Sequence, residues 1–163
     1  ARRALEVQMH LLSEESRQFL GLLKPKDIPD GVTLAHGSPR DPIWEYVMSA
    51  KVAERNFSAF ETQVCLIGHS HIPVIFVENG RKSPTILMPS TGDMWRSKQR
   101  FLLNPGSVGQ PRDRDPRAAY VLWDSEEDIW TYHRVNYDVT PVQEKILALG
   151  IPSIHAMRLA YGM

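Results

Sequence analysis

Three of the six histidines stand beside a glycine where an apolar run ends: His36 in Ala35-His36-Gly37-Ser38-Pro39, and His69 and His71 in Gly68-His69-Ser70-His71. Neutral imidazole is a ligand for Zn, Mn, Fe and related divalent ions. A neighbouring glycine lets the backbone turn sharply, and the end of a buried strand is a rigid platform, so the three rings can be carried toward a shared point. In an extended turn His69 and His71 face one side and Ser70 the other. A single strand-end histidine is nevertheless more often a hydrogen-bonded structural residue than a ligand. His-x-His also lacks the longer register of a helical His-Glu-x-x-His zinc motif, so spacing alone leaves both readings open. His10, His133 and His155 fall on helix or strand faces without such a setting and are read as structural.

The elements that would position these rings follow from periodicity. Residues 2–23 read as helical, with Leu5, Met9 and Leu12 on one face, Ser13 as a cap for the second part and Lys24-Pro25 as the stop. Val32–Ala35 and Gln63–Ile67 are short apolar strands that run into the histidine turns. Asp41-Pro42 is a helix-start signal, and the segment to Phe60 reads as mostly helical. Beyond Pro73 the pattern predicts a β meander: residues 74–78, a hairpin turn at Asn79-Gly80, then 85–88, 101–103, 118–123 and 129–137. In the last strand Trp130, Tyr132 and Arg134 alternate with Ile129, Thr131, His133 and Val135. Thr140-Pro141-Val142-Gln143 reads as a capping box, Gly150-Ile151-Pro152 as its helix's stop, and Ser153 as the start of a final helix. Without repeats, low-complexity tracts or linkers, residues 1–163 are expected to form a single unit.

Three ordered stretches resemble signatures of the calcineurin-like metallophosphoesterases, closest to the small prokaryotic branch of phosphodiesterases and dinucleoside-tetraphosphatase-like enzymes. They are Ala35-His36-Gly37-Ser38-Pro39-Arg40-Asp41-Pro42, Gly68-His69-Ser70-His71-Ile72-Pro73 and Asn104-Pro105-Gly106-Ser107-Val108-Gly109-Gln110-Pro111-Arg112. The resemblance implies an α/β (α+β) fold, the C-terminal part of a four-layer α-β-β-α sandwich. It also implies hydrolysis of a phosphodiester or phosphomonoester by a hydroxide held between two divalent ions (Mn, Fe, Ni or Zn). By motif, His36 and His69 match ligands of one metal and His71 a ligand of the other. Closely spaced cations stabilise the charge that gathers on the attacking and leaving oxygens, so no nucleophilic Ser or Cys is needed. The implied substrate is a small phosphorylated molecule, a nucleotide among the candidates.

The family's Asp-x-His, Gly-Asp and Gly-Asn-His signatures do not occur ahead of these motifs. Gly92-Asp93 follows them and reads as a loop turn. The expectation is therefore a C-terminal portion of the enzyme domain that binds at most one metal well by itself. An N-terminal half or a second copy of the chain would cover an apolar sheet face, and the N-terminal half would also bring the carboxylates. The alternative is a non-catalytic metal-binding or interaction module on the same fold. No residue is assigned as general acid.

Arg40 and Arg112 directly follow signatures expected near the metals and are the candidates for gripping phosphate oxygens. Arg114 and Arg117 alternate with Asp113 and Asp115, the pattern of a solvated loop with local ion pairs. Residues 81–97 would shape the pocket. Trp44, Tyr46, Trp123, Trp130 and Tyr132 read as core packing, as does Cys65, and the Asn56-Phe57-Ser58 sequon is disregarded because no secretory signal accompanies it. Equal numbers of basic and acidic residues, 19 each, leave no field to attract duplex nucleic acid or anionic lipid. A lone cysteine and the lack of an apolar run near ~18 residues exclude an internal disulfide and a membrane span, so a cytoplasmic location is expected.

Overall fold

Val64–Ile67 (β3) and Phe101–Asn104 (β7) are apolar at almost every position, and such strands need cover on both faces. In the computed structural model, which describes residues 2–80 and 82–163, they lie parallel at the centre of a six-stranded sheet. Ala1 and Arg81, the first residue of the segment expected to border the pocket, lie outside the described residues. The sheet order is β1 (Lys26–Asp27), β2 (Thr33–Ala35), β3, β7, β4 (Val74–Asn79), β5 (Lys82–Leu87). β2, β3 and β7 are parallel, while β1 pairs antiparallel with β2, and β4 pairs antiparallel with both β7 and β5. The β4–β5 hairpin turns at Gly80, whose φ of +56° suits the expected Asn-Gly turn.

Alternation along these strands sorts the core. Cys65, Ile67, Val74, Phe76 and Leu102 pack with Val47, Phe57, Phe60 and Ala53, the last in helix α3 (Ala50–Asn56). On the opposite face Val64, Ile75, Val77, Phe101 and Leu103 meet Trp130 of a second, three-stranded sheet. That sheet runs β6 (Met94–Trp95), β9 (Ile129–Val135), β8 (Ala118–Asp124). Each fully buried Phe or Leu contributes roughly 1.5–3 kcal/mol, so these two clusters dominate the fold's stability. Burial also pushes the Cys65 thiol up to about 12, the state of an inert core residue.

Several expectations are corrected here. The strands do not form one meander, because β7 inserts between β3 and β4 and the later strands leave to build the second sheet. Both faces of β3 find cover within the chain, so the apolar sheet face expected to need an N-terminal half or a second copy does not lie open at this strand. What stays open is narrower: a groove of about 400 Å³ bordered by Leu23, Leu34, Leu66 and Pro105, with Leu34 37% exposed. The stretch from Asp41 to Met48 is not helical. The Gly37 and Ser38 N–H groups instead reach forward to the carbonyls of Pro42 and Asp41, which folds the stretch back onto the His36 turn as a non-helical loop. Helix α3 begins only where the Ser49 side chain caps it, followed by a 3-10 turn at Phe57–Ala59.

The N-terminal segment is two helices, α1 (Arg2–Leu11) and α2 (Glu14–Leu22), the second capped by Ser13 as expected. No residue of α2 is buried, and Phe19, Leu20, Leu22 and Leu23 are exposed. Helix α4 (Thr140–Ala148) has Val139 at its N-cap, without a side-chain bond. Asp138 accepts from the Thr140 N–H, so the predicted capping box is replaced by a carboxylate two residues earlier. Helices α4 and α5 (Ile154–Tyr161) pack together, and among the described residues no helix is long and apolar enough to cross a membrane.

Candidate metal centre

The parallel register of β2 and β3 pairs Ala35 with Ile67, so His36 and Gly68 leave the sheet side by side. The Gly68 N–H donates to the His36 carbonyl at 3.0 Å. One residue on, His69 turns back with φ +60°, and His71 repeats this with φ +59°. The turn is therefore left-handed at both histidines rather than extended, a conformation that costs a side-chain-bearing residue roughly 1–2 kcal/mol. Ser70 between them is buried, accepting from Asn104 Nδ2 at 2.9 Å.

This geometry brings His36 and His69 together, with His36 Nε2 3.0 Å from His69 Nδ1. Tyr46 stacks on the face of the His69 ring, centroids 3.9 Å apart at 29°. His71 stands in its own setting, its Nδ1–H donating to the Gln110 carbonyl at 2.7 Å while its carbonyl accepts from the Arg112 N–H. Because a carbonyl can only accept, Nδ1 carries the proton and Nε2 keeps a free lone pair. Among the described residues, no group of three His, Cys, Asp or Glu side chains is arranged to hold a metal ion.

The electrostatics favour neutral rings. Burial lowers the pKa of His69, with His36, Arg112 and His71 adding repulsion and Asp41 opposing it. Burial likewise lowers that of His71, opposed by the Gln110 hydrogen bond and reinforced by Arg112, His36 and Arg158. The donor set fits a divalent cation. Two nitrogens each about 2.1 Å from one ion and at a right angle to it are about 3.0 Å apart, so the His36–His69 spacing serves a bound ion as well as a hydrogen bond. A ligand histidine also commonly gives its second ring N–H to a backbone carbonyl, as His71 does.

Of the two arginines expected to bind phosphate, Arg112 lies close enough to act on both His69 and His71, and it is tethered by Gln110 Oε1 at 2.8 Å. Arg40 instead pairs with Glu45. Arg117 pairs with Asp115, the local ion pair expected of this loop. Asp113, however, bonds to Arg134, whose side chain is only 5% exposed, so the loop is anchored rather than free. Tyr46 and Trp44 are not core residues: Tyr46 is 45% and Trp44 74% exposed, because the segment carrying them is not the expected helix. Trp130 and Tyr132 are buried as expected, whereas Trp123, 37% exposed, stacks on Trp130 from outside rather than lying in the core. His10 donates within its own helix and His133 stacks on Tyr120, both outside the centre. Asp93 closes a loop turn by accepting from the Ser90 N–H. Glu45, Tyr46, Asn104 and Arg158 are the neighbours of the centre that sequence reasoning did not assign. The only available signal for Asn104 was its place at the head of the third signature.

Comparison with known proteins gives a consistent picture. Residues 6–128 match the sequence model of the calcineurin-like phosphoesterase superfamily domain. Uncharacterized protein MJ0912 of Methanocaldococcus jannaschii is 34% identical over 134 residues, covering 80% of this chain and 51% of that protein. The crystal structure of a metallophosphoesterase from Sphaerobacter thermophilus superposes with a TM-score of 0.88 at 38% identity, covering 94% of this chain and 65% of that one. Hypothetical protein PH1004 from Pyrococcus horikoshii OT3 shares the fold, with a TM-score of 0.71 at 18% identity over 94% of this chain and 57% of its own. The chain thus spans about half to two thirds of the length of these relatives.

Proposed function

The chain belongs to the calcineurin-like phosphoesterase superfamily, and from that premise we propose that it carries the histidine side of a divalent-metal centre that hydrolyses a phosphodiester or phosphomonoester. The observation that carries this reading is the approach of His36 Nε2 to His69 Nδ1 at 3.0 Å, at the ends of two parallel strands. His36 and His69 would hold one cation, and His71 would offer Nε2 to a second. A divalent ion bound there supplies Lewis acidity toward phosphoryl oxygens and activates water.

The chain's own residues do the rest. His69 and His71 stay neutral near pH 7 because burial and neighbouring positive charge oppose protonation, so their lone pairs remain available. Arg112, held by Gln110, presents positive charge toward an anionic ester at the same rim. Arg40 reaches such a substrate only by leaving Glu45. Three neutral imidazoles cannot balance two divalent charges, so carboxylates from the remainder of a longer protein complete the centre, whereas a second copy of the chain would cover an apolar face without supplying them. The substrate is a small phosphorylated molecule.

His69→Ala is expected to weaken Mn²⁺ binding tenfold or more, followed by the EPR signal of free Mn²⁺. In the longer protein that brings the carboxylates, the same change should remove Mn-dependent hydrolysis of bis(4-nitrophenyl) phosphate, while His133→Ala leaves both intact. Mn²⁺ binding that depends on His69, with no hydrolysis even in a longer protein that brings the carboxylates, would favour a non-catalytic metal-binding module. Equal Mn²⁺ affinity in His69→Ala and the parent would sink the histidine assignment.

A further inference from the structure

Glu45 occupies an unusual position beside the histidine pair. Its carboxylate accepts from Ser38 Oγ at 2.7 Å and Asn56 Nδ2 at 2.8 Å, and it pairs with the Arg40 guanidinium. Asn56 is fully buried in α3, where its amide also donates to the Val52 carbonyl and accepts from the Arg40 N–H. Glu45 therefore bolts the turn that carries His36 onto a rigid helix. The backbone contact is equally close: a Cβ on Gly37 would lie 3.1 Å from the Glu45 carbonyl oxygen and 2.9 Å from that of Asp41. Only glycine at position 37 lets the His36 turn close down on Glu45 in this way.

The next residue reaches the second histidine. Tyr46 stacks on the His69 ring at 3.9 Å, and His69 sits in a left-handed conformation that its own backbone does not favour. We infer that Glu45 is a positioning residue for the His36–His69 pair, fixing His36 through Ser38 and the Gly37 turn and fixing His69 by delivering Tyr46 onto its ring. The inference rests on the metal-centre reading for its consequence but on the contacts alone for its geometry. Both rings take their placement from one dipeptide, through the acceptor oxygens that Glu45 offers Ser38 and Asn56. Burial alone would raise the Glu45 pKa, but the hydrogen bonds from Arg40, Ser38 and Asn56 outweigh it and hold the pKa below the ordinary carboxylate value.

The test compares Glu45→Ala, Glu45→Gln, Tyr46→Phe and Tyr46→Leu in the isotope-labelled, metal-free protein, reading the ring-proton resonances of His69 by NMR. A ring stacked on Tyr46 carries a ring-current shift. Tyr46→Phe should keep it and Tyr46→Leu should lose it. Glu45→Ala should also lose it although Tyr46 is still present, and Glu45→Gln, which can still accept from Ser38 or Asn56, should largely restore it. A merely structural Glu45 would lower the unfolding midpoint without moving this resonance. In parallel, Mn²⁺ affinity should fall tenfold or more in Glu45→Ala and Tyr46→Leu, the size typical of losing a group that orients a ligand. A His69 resonance at its parent position in folded Glu45→Ala overturns the inference. Should Glu45→Ala not fold, Tyr46→Leu decides alone, and its matching Tyr46→Phe in both readouts overturns the inference. A parent protein that binds no Mn²⁺ would defeat the functional reading, and the metal-free resonances would still decide whether Glu45 positions the rings.

Discussion

Replacing Asn104 with Ala should be among the most damaging single changes near the centre. The side chain is 1% exposed and fully used: Nδ2 donates to the Gly68 carbonyl at 2.7 Å and to Ser70 Oγ at 2.9 Å, while Oδ1 accepts from the Gly106 N–H at 2.9 Å. It thereby ties the end of β7 to both the histidine turn and the glycine turn that follows it. Three hydrogen bonds at about 1 kcal/mol each give about 3 kcal/mol. The Gly68 carbonyl keeps the Ser70 N–H and Ser70 Oγ keeps the Ile72 N–H, so the group left without a partner is the Gly106 N–H, which adds to the loss. For a chain of this size, about 3 kcal/mol corresponds to a Tm lower by roughly 6–12 °C. Urea unfolding followed by tryptophan fluorescence measures it, with an unchanged m-value confirming that the native state is otherwise intact. Asn104→Asp preserves the acceptor for Gly106 but sets a buried carboxylate against the Gly68 carbonyl, so it should be at least as harmful at pH 7. A loss under about 1 kcal/mol in Asn104→Ala would refute the claim that this side chain secures the turn.

Gly106→Ala should cost about 2–3 kcal/mol, because φ is +88° and the new Cβ would lie 2.8 Å from the Ala119 Cβ. Gly92→Ala, at φ +90° with nothing within 4 Å, should cost only about 1 kcal/mol, so equal urea midpoints for the two variants would contradict the packing argument. Asp115 supplies a pH signature: hydrogen bonds from Arg117 outweigh burial and, with Arg134, hold its carboxyl down at about 2. A depressed folded pKa gives stability that is present above the ordinary value near 3.8 and is lost as pH falls toward 2. Asp115→Asn should therefore flatten the fall in urea midpoint between pH 4 and 2, and an equally steep fall in the variant would show that another group is responsible.

Local chemistry made much of this molecule legible, and particular residues show where it stopped. Apolar runs found β3 and β7, Asn79-Gly80 found the hairpin, and alternation put Trp130 and Tyr132 on the buried face of β9. Those signals depend on neighbours a few residues apart. The two-residue strands β1 and β6 are too short to carry a period, and the insertion of β7 between β3 and β4 depends on a pairing that no local pattern encodes. The failed helix between Asp41 and Met48 has the same origin. Its start signal is real, since Asp41 Oδ1 does accept from the Trp44 N–H at 3.1 Å, but the segment is drawn back onto the His36 turn by bonds from the Gly37 and Ser38 N–H groups, which no local pattern encodes. With the helix gone, Tyr46 and Trp44 leave the core positions that their apolar character suggested. Tyr46 instead becomes the lid on a histidine.

The centre itself was legible in its parts and not in its arrangement. Three glycine-flanked histidines are visible in the sequence, but their relative placement is decided by strand register. Pairing Ala35 with Ile67 sets His36 against Gly68, and a Cβ at position 68 would lie 3.2 Å from the His36 carbonyl oxygen. Glycine there permits the N–H to reach that carbonyl, and the same closeness forces the chain to turn at His69 rather than continue extended. A slip of one residue would exchange the faces of β2, sending Leu34 toward α3 and Thr33 toward the second sheet, and would part the two rings. Core packing and site geometry are thus selected by one register. For that reason the histidine pair is held by residues such as Glu45 and Asn104, whose roles exist only once that register has formed.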